Sequence, residues 1–236
     1  EEFGKFILLV NFKDYVVRFA NTYGVPLYGE DRAMQSASFD DVTIINFGMG
    51  SPNAATIMDL LEAITPKAVL FLGKCGGLKK VNKVGDLILP IAAIRGDGTS
   101  DDYFPPEVPA LPAFALQKAI STAIRENERD YWTGVVYTTN RRVWEWDDNF
   151  KDYLFSIRAM GIDMETATIF SVGFHNRIPT GALLLVSDVP MFPEGVKTDK
   201  SDMHVNANFV EDHLKIGIRS LLMLKENHQT VRHLKF

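Results

Sequence analysis

The sequence lacks the features that mark secreted and membrane proteins. Its 236 residues include one cysteine, Cys75, so no disulfide can form within the chain, as is typical of a reducing compartment. No apolar run approaches the roughly 18 residues that a membrane-spanning helix needs. The first residues, Glu1-Glu2-Phe3, lack the basic start of a signal peptide. We therefore expect a cytoplasmic protein with no membrane partner.

Positive charge is also scarce. The chain has 25 Lys and Arg against 30 Asp and Glu, for a net charge of -5, and the basic residues are scattered. Binding to a phosphate backbone needs lysines and arginines clustered on one face. We therefore expect no nucleic-acid partner.

Several familiar motifs are absent. The five histidines, at positions 175, 204, 213, 228 and 233, have none of the spacings of a zinc site. The glycine-rich loops of NTPases and dinucleotide-binding proteins are missing, as is the nucleophile elbow of α/β-hydrolases. The sequence therefore predicts neither a metal nor a cofactor.

Short apolar runs alternate with segments of helical spacing along the whole chain. Such alternation is typical of an α/β fold in which helices cover both faces of a sheet, and no linker composition interrupts it, so we predict one domain over residues 1–236. The predicted strands are residues 6–10, 42–47, 68–72, 87–93, 135–138 and 182–186, and the predicted helices are residues 13–23, 53–64, 114–125, 149–160, 165–176 and 209–225. Ligands of such sheets bind at the carboxyl ends of the strands.

Two of these strand ends are rich in glycine. Gly48, Gly50 and Ser51 open the second predicted helix, where glycines let a backbone approach an anion; an ordinary tight turn with a capped helix is the alternative. Gly73 and Lys74 leave the third strand, and the lysine is a candidate for holding a phosphate or a carboxylate. We interpret the adjacent Cys75 as a small buried residue.

Two further junctions carry carboxylates. Asp163 and Glu165 lie two residues apart among Ile, Met and Ala, where a buried acid needs a partner such as the hydroxyl pair of a ribose, or else caps the following helix. Ser187 and Asp188 end a predicted central strand. Partial burial would raise the pKa of Asp188 and make it a general acid, whereas a turn before Pro190 is the structural alternative.

Together these junctions resemble the purine nucleoside phosphorylase and nucleosidase superfamily over about residues 6–224, and within it the catalytic domains of AMP nucleosidases. The resemblance is carried by NFGMGSPNA (46–54), GKCGGL (73–78), TTN (138–140), WE (144–145), DMETAT (163–168), LLVSD (184–188) and HLKIGIR (213–219). It implies a three-layer α/β fold with a twisted mixed sheet flanked by helices. It also implies a homo-oligomer, with a hexamer favoured.

The resemblance assigns roles by position. Glu165 is expected to hold the ribose hydroxyls, Met164 to pack against the sugar and Asp188 to protonate N7 of the purine. Trp144, with Trp146 second, is the candidate for stacking on the base. The other expected substrate contacts are Gly48, Gly50, Ser51, Gly73 and Ser187, and the candidate cations for a 5′-phosphate are Lys74, Arg32, Arg141, Arg142 and Lys197.

These roles imply hydrolysis of AMP to adenine and ribose 5-phosphate. A nucleoside phosphorylase, a methylthioadenosine-type nucleosidase and a non-catalytic purine-binding protein are the alternatives. Phosphorylases of the superfamily hold phosphate with two arginines, and this chain has Phe71 at one of these positions and no arginine in residues 11–15 at the other. The departure favours water as the nucleophile. Long AMP nucleosidases carry an additional N-terminal regulatory domain, so their allosteric control cannot be assumed for this chain.

Overall fold

The structure is a computed structural model of the chain and describes residues 3–226. Strands and helices alternate through this part of the chain, as the apolar pattern predicts. The strands are β1 (Phe6–Val10), β2 (Ser36–Phe39), β3 (Val42–Asn46), β4 (Ala68–Gly77), β5 (Leu87–Gly96), β6 (Trp132–Thr139), β7 (Gly161–Asp163) and β8 (Thr180–Asp188). The α-helices are α1 (Lys13–Tyr23), α2 (Ser51–Glu62), α3 (Phe114–Glu126), α4 (Asp148–Ser156), α5 (Thr166–His175), α6 (Asp199–Asn208) and α7 (Val210–Glu226).

The strands form one mixed sheet in the order β2-β3-β1-β4-β7-β6-β5-β8. Strand β4 also pairs with β8, so β4, β7, β6, β5 and β8 close into a barrel. Closure is possible because β4 is long: residues 68–72 pair with β1, whereas Gly76 and Gly77 pair with β7. The mixed sheet flanked by helices confirms the predicted fold class.

Apolar side chains fill both faces of the sheet. On β1, Leu8 points to a cluster formed with α1, α3 and α7, and its neighbour Ile7 points to a second cluster formed with α2 and α5. This alternation follows from the two-residue period of a strand. A strand buried on both faces must be apolar throughout, which explains the continuous run FILLV of β1.

The glycine-rich segment 73–77 is a correction to the sequence analysis, which placed it after the strand. It continues β4. A Cβ on Gly73 would lie 2.5 Å from the ring of Phe71, and one on Gly76 would lie 2.7 Å from Pro190. These glycines therefore let neighbouring side chains pack closely onto the strand.

Three elements were not predicted. Strand β2 is an edge strand with two serines, β7 has three residues, and α6 has no continuous apolar face. The predicted helix 149–160 ends at Ser156, and the chain then enters β7. Hydrophobic periodicity does not detect β2, β7 or α6, because each is short or mostly polar.

Within residues 3–226, no helix combines the length and the apolar character required to cross a bilayer. The same residues contain no cluster of three His, Cys, Asp or Glu side chains placed to hold a metal ion. Two of the five histidines, His228 and His233, lie outside the described residues.

A buried histidine connects α7 with α1 and β8. The ring of His213 is fully buried, with Nδ1 2.8 Å from the Tyr15 hydroxyl and Nε2 2.9 Å from the Leu183 carbonyl oxygen. A carbonyl only accepts, so Nε2 carries the proton and Nδ1 accepts from Tyr15. Burial lowers the pKa of His213 to about 3, against the opposing effect of the Leu183 hydrogen bond.

Acidification should therefore destabilise the protein through His213. An ordinary histidine has a pKa of 6.5, whereas the pKa of His213 in the folded chain is about 3. Between these two pH values the unfolded state therefore binds more protons than the folded state. The unfolding free energy should fall by up to about 1.4 kcal/mol per pH unit there, and this group should contribute no slope above pH 6.5.

Urea unfolding at a series of pH values measures this slope. His213→Gln, which keeps a donor and an acceptor, should reduce it. The exposed His204→Gln should leave it as in the wild type. Equal slopes in the wild type and His213→Gln would contradict the assignment.

Candidate active site

One cavity lies where several strands end. It is lined by residues at or just after the C-terminal ends of β1, β4, β6, β7 and β8, as expected for an α/β sheet. Segments far apart in sequence, such as Asn11 and Asp188, thereby come together. The predicted site residues that line the cavity are Lys74, Arg141, Arg142, Trp144, Met164, Glu165, Ser187, Asp188 and Lys197.

Asp188 is the last residue of β8. It is partly buried and lines the cavity. The Ser187 hydroxyl donates to Asp188 Oδ1 at 2.7 Å. Burial raises the pKa of Asp188; the Ser187 hydrogen bond and the charges of Lys197 and Arg142 oppose this effect. Since Oδ1 accepts from Ser187, the other oxygen remains for a ligand.

Glu165 lies directly before α5 and is almost fully buried. Its Oε1 accepts from the Gly50 N–H at 2.7 Å, and its Oε2 accepts from the Met164 N–H at 3.2 Å. Gly50 has φ +94°, a conformation that favours glycine. The glycine turn therefore positions Glu165, and Ser51 reinforces it by donating to the Met164 carbonyl at 2.7 Å.

A second buried carboxylate, Asp163, lies beside Glu165 in the cavity wall. It accepts from the Thr138 hydroxyl at 2.7 Å and from both the N–H and the hydroxyl of Thr166. Burial raises the pKa of both acids, and the charge of Asp163 raises that of Glu165 further. Burial likewise raises the pKa of the Cys75 thiol, which keeps it protonated, in agreement with its structural interpretation.

Two lysines at the cavity share one carboxylate. The Nζ atoms of Lys74 and Lys197 each lie 2.9 Å from Asp202 Oδ1, and Lys74 also donates to Asn206 Oδ1 at 2.7 Å. Burial lowers the pKa of Lys74, and the Asp202 hydrogen bond and charge oppose this effect. The positive charge that the sequence predicts at Lys74 is thus paired within the chain.

The aromatic side chain of Trp144 lines another side of the cavity. Trp144 is buried and meets the ring of Phe150 edge to face, with centroids 5.4 Å apart. The backbone N–H of Trp144 donates to Glu145 Oε2 at 2.9 Å, and Arg142 lies 3.5 Å from the other oxygen of this carboxylate. Trp146, the second stacking candidate, is 77% exposed and lies outside the cavity lining.

Five predicted contacts are absent from the lining residues: Gly48, Gly50, Ser51, Gly73 and Arg32. Gly50 and Ser51 instead hold the segment that carries Met164 and Glu165. Arg32 lies exposed in the turn before β2. Their roles in substrate binding stay predictions.

Three functional candidates were missed by the sequence analysis. Asn11 lines the cavity and donates to Glu165, and its Oδ1 is buried with no partner among the described residues. Glu145 anchors the Trp144 backbone, and Asp202 pairs with the two lysines. Asn11 directly follows β1, so the rule of strand ends gave a signal; Asp202 comes from an unpredicted helix and gave none.

The chain thus combines a closed barrel of mixed strands with one acid at the end of β8 and a second acid before α5. This combination of fold and site belongs to a known class of proteins. The chain belongs to the phosphorylase superfamily, whose family model matches residues 5–222.

Two relatives are AMP nucleosidases by name. The Escherichia coli enzyme is 35% identical over 199 residues, which cover 80% of this chain and 41% of the relative, so the chain spans less than half of its length. The crystal structure of the Bacteroides thetaiotaomicron enzyme has 58% identity and a TM-score of 0.86, and the match covers 96% of this chain and 90% of that one. Purine nucleoside phosphorylase from Toxoplasma gondii, solved with immucillin-H, shares the fold at 20% identity, with a TM-score of 0.83 and coverage of 95% and 93%.

The environment of Glu165 can be tested by its titration. Burial and the neighbouring Asp163 raise its pKa to about 8, so the unliganded protein should keep this group protonated at pH 7. Carboxyl-carbon NMR of glutamate-labelled protein should show one resonance with this midpoint. The resonance should disappear in Glu165→Gln and persist in the exposed Glu107→Gln. A midpoint below pH 5 for the lost resonance would show that Glu165 is ionised.

Proposed function

We propose that the chain hydrolyses the N-glycosidic bond of AMP and releases adenine and ribose 5-phosphate. The observation that carries the proposal is the pair Glu165, which is buried, and Asp188, which is partly buried, in different hydrogen-bonding environments at one cavity. The names and the extensive similarity of the two AMP nucleosidases support this substrate.

Asp188 is the proton donor in this reaction. A purine leaves as an unstable anion unless a ring nitrogen, N7 in our assignment, is protonated as the bond to the sugar breaks. Burial favours the protonated form of Asp188, which is the form that donates. Ser187 fixes one oxygen of the carboxyl and so orients the other towards the cavity.

Glu165 stabilises the sugar. The transition state resembles an oxocarbenium ion, so positive charge develops at the ribose while the base departs. The N–H groups of Gly50 and Met164 hold the carboxyl group of Glu165 in place before substrate arrives. Ribose hydroxyls that donate hydrogen bonds to Glu165 favour the ionised form of its side chain. This negative charge then stabilises the positive charge that develops on the sugar.

Other groups shape the pocket around the substrate. Trp144, which lines the cavity, is the candidate for stacking on the base, and Met164 offers an apolar surface for the sugar. Asn11 adds an acceptor for a ribose hydroxyl through its unpaired Oδ1. Of the candidate cations for the 5′-phosphate that line the cavity, Arg141 and Arg142 are about half exposed, whereas Lys74 and Lys197 are already paired with Asp202.

We also propose a cytoplasmic homo-oligomer, with a hexamer favoured. Large exposed apolar side chains support this assembly, since subunit contacts would remove them from water. Among these side chains are Trp146, Phe155 and Phe114, exposed by 77%, 71% and 69%.

The alternative functions differ in their co-substrate, in their preferred substrate or in whether a base is released. A phosphorylase consumes inorganic phosphate, a methylthioadenosine-type nucleosidase prefers a substrate without the 5′-phosphate, and a purine-binding protein releases no base. A panel of AMP, adenosine, methylthioadenosine, IMP and GMP, with and without inorganic phosphate, separates the three.

Asp188→Asn should lower the rate of adenine release by on the order of 10² to 10⁴-fold, because an amide cannot supply the proton. Release is measured by chromatography, with thermal melting as a check on folding. The exposed Asp152→Asn on α4 is the control and should retain the wild-type rate. A rate for Asp188→Asn near that of the wild type would remove Asp188 from the mechanism.

The reaction should be hydrolysis even when inorganic phosphate is abundant. A phosphate dianion beneath the sugar needs charge-assisted donors. Phe71, at one of the two arginine positions, is fully buried against Phe47, and Lys74 is already paired. With AMP and labelled phosphate, no label should enter the sugar product.

The control for this assay is a known nucleoside phosphorylase, which must transfer label under the same conditions. Stoichiometric appearance of ribose 1,5-bisphosphate with the present chain would return it to the phosphorylases.

A further inference from the structure

The paired lysines of the cavity point to a role for α6. We propose that Asp202 determines the specificity for water over inorganic phosphate: its carboxylate occupies Lys74 and Lys197, the cations that a phosphate ion at this wall would need. The inference rests on the proposed function, because it explains which acceptor takes the ribosyl group.

The contacts show that one carboxylate serves both cations. Asp202 Oδ1 lies 2.9 Å from each ammonium group. The ring of Phe12 lies beside both, with its centroid 4.3 Å from Lys74 Nζ and 5.5 Å from Lys197 Nζ. With Asn206 as a further acceptor, the ammonium of Lys74 has two hydrogen bonds and an aromatic face around it. Little donor capacity remains for an incoming anion.

Burial makes this pairing stronger than the other ion pairs around the cavity. The side chain of Lys74 is 3% exposed, whereas Arg141 and Arg142, which pair with Asp147 and Glu145, are 48% and 54% exposed. Water and salt screen the arginine pairs, which weakens them. Removing the partner of a buried ammonium group costs far more free energy than removing the partner of an exposed cation. A phosphate ion must therefore displace Asp202 to reach Lys74.

Asp202 is held in place by its helix. Next to it on α6, Val205 is fully buried, and the helix packs against α7 and β8. Arg18 of α1 donates to the Asn206 carbonyl at 3.2 Å, which ties the same turn to a second element. The carboxylate is therefore fixed against Lys74 and Lys197, which line the cavity.

The test is calorimetric titration of the full chain with inorganic phosphate, without nucleotide. Asp202→Asn keeps the shape and an acceptor oxygen but removes the negative charge, and should bind phosphate on the order of tenfold to a hundredfold more tightly than the wild type. Asn206→Ala is the matched control: it removes a neutral partner of Lys74, leaves the carboxylate in place and should bind phosphate as the wild type does. Adding Lys74→Met to Asp202→Asn should abolish the gain.

Three results would overturn the proposal: no gain in Asp202→Asn, an equal gain in Asn206→Ala, or a gain that survives Lys74→Met. A selective fall of KM for AMP relative to adenosine in Asp202→Asn would also overturn it, because the lysines would then serve the 5′-phosphate of the substrate. If Asp202→Asn does not fold, Asp202→Ser is judged by the same criteria. Since binding is read without turnover, a chain that gains phosphate affinity but releases no adenine fails only the proposed function.

Discussion

The removal of three acidic side chains from water at one end of the barrel, two of them fully and one partly, is the constraint on which the rest of the site depends. An ionised carboxylate removed from water is costly unless donors surround it. Asp163 is supplied by Thr138 and Thr166, Glu165 by two backbone N–H groups and Asp188 by Ser187. The donor sets differ in number, so the three acids have different environments although they lie at one cavity.

The glycine turn after β3 shows how this constraint shapes local sequence. In the sequence, Gly48, Gly50 and Ser51 suggest a backbone cradle for a substrate anion. In the structure, the acceptor that the Gly50 N–H binds is a side-chain oxygen of the protein, from Glu165, 115 residues away. A backbone N–H group meets an oxygen acceptor in both cases, and only the tertiary structure shows which acceptor occupies the position.

Much of the fold was predictable because its signals are local. Six of the eight strands follow from apolar runs, since residues such as those of β1 are buried on both faces. The strand ends then indicated Asp188, Glu165 and Lys74 as cavity residues. Barrel closure was not predictable in this way, because it depends on glycines in β4 whose neighbours, Phe71 and Pro190, are defined by packing. Asp202 escaped notice for a related reason: it lies 128 residues from Lys74 on a helix without an apolar face.

In the proposed reaction, the choice between water and phosphate depends on the core as well as on residues at the cavity. The ring of Phe71 occupies the space beside Gly73 where a Cβ would lie 2.5 Å away, and it packs on Phe47 within the apolar cluster beneath α2 and α5. A guanidinium at this position would enter that cluster without a carboxylate partner, which is strongly unfavourable. Restoring a phosphate site of the kind found in phosphorylases would therefore require Phe71, its packing neighbours and the pairing of Lys74 to change together. In the proposed function, the determinants of the preference for water therefore lie in two different layers of the structure, and no single substitution reverses both.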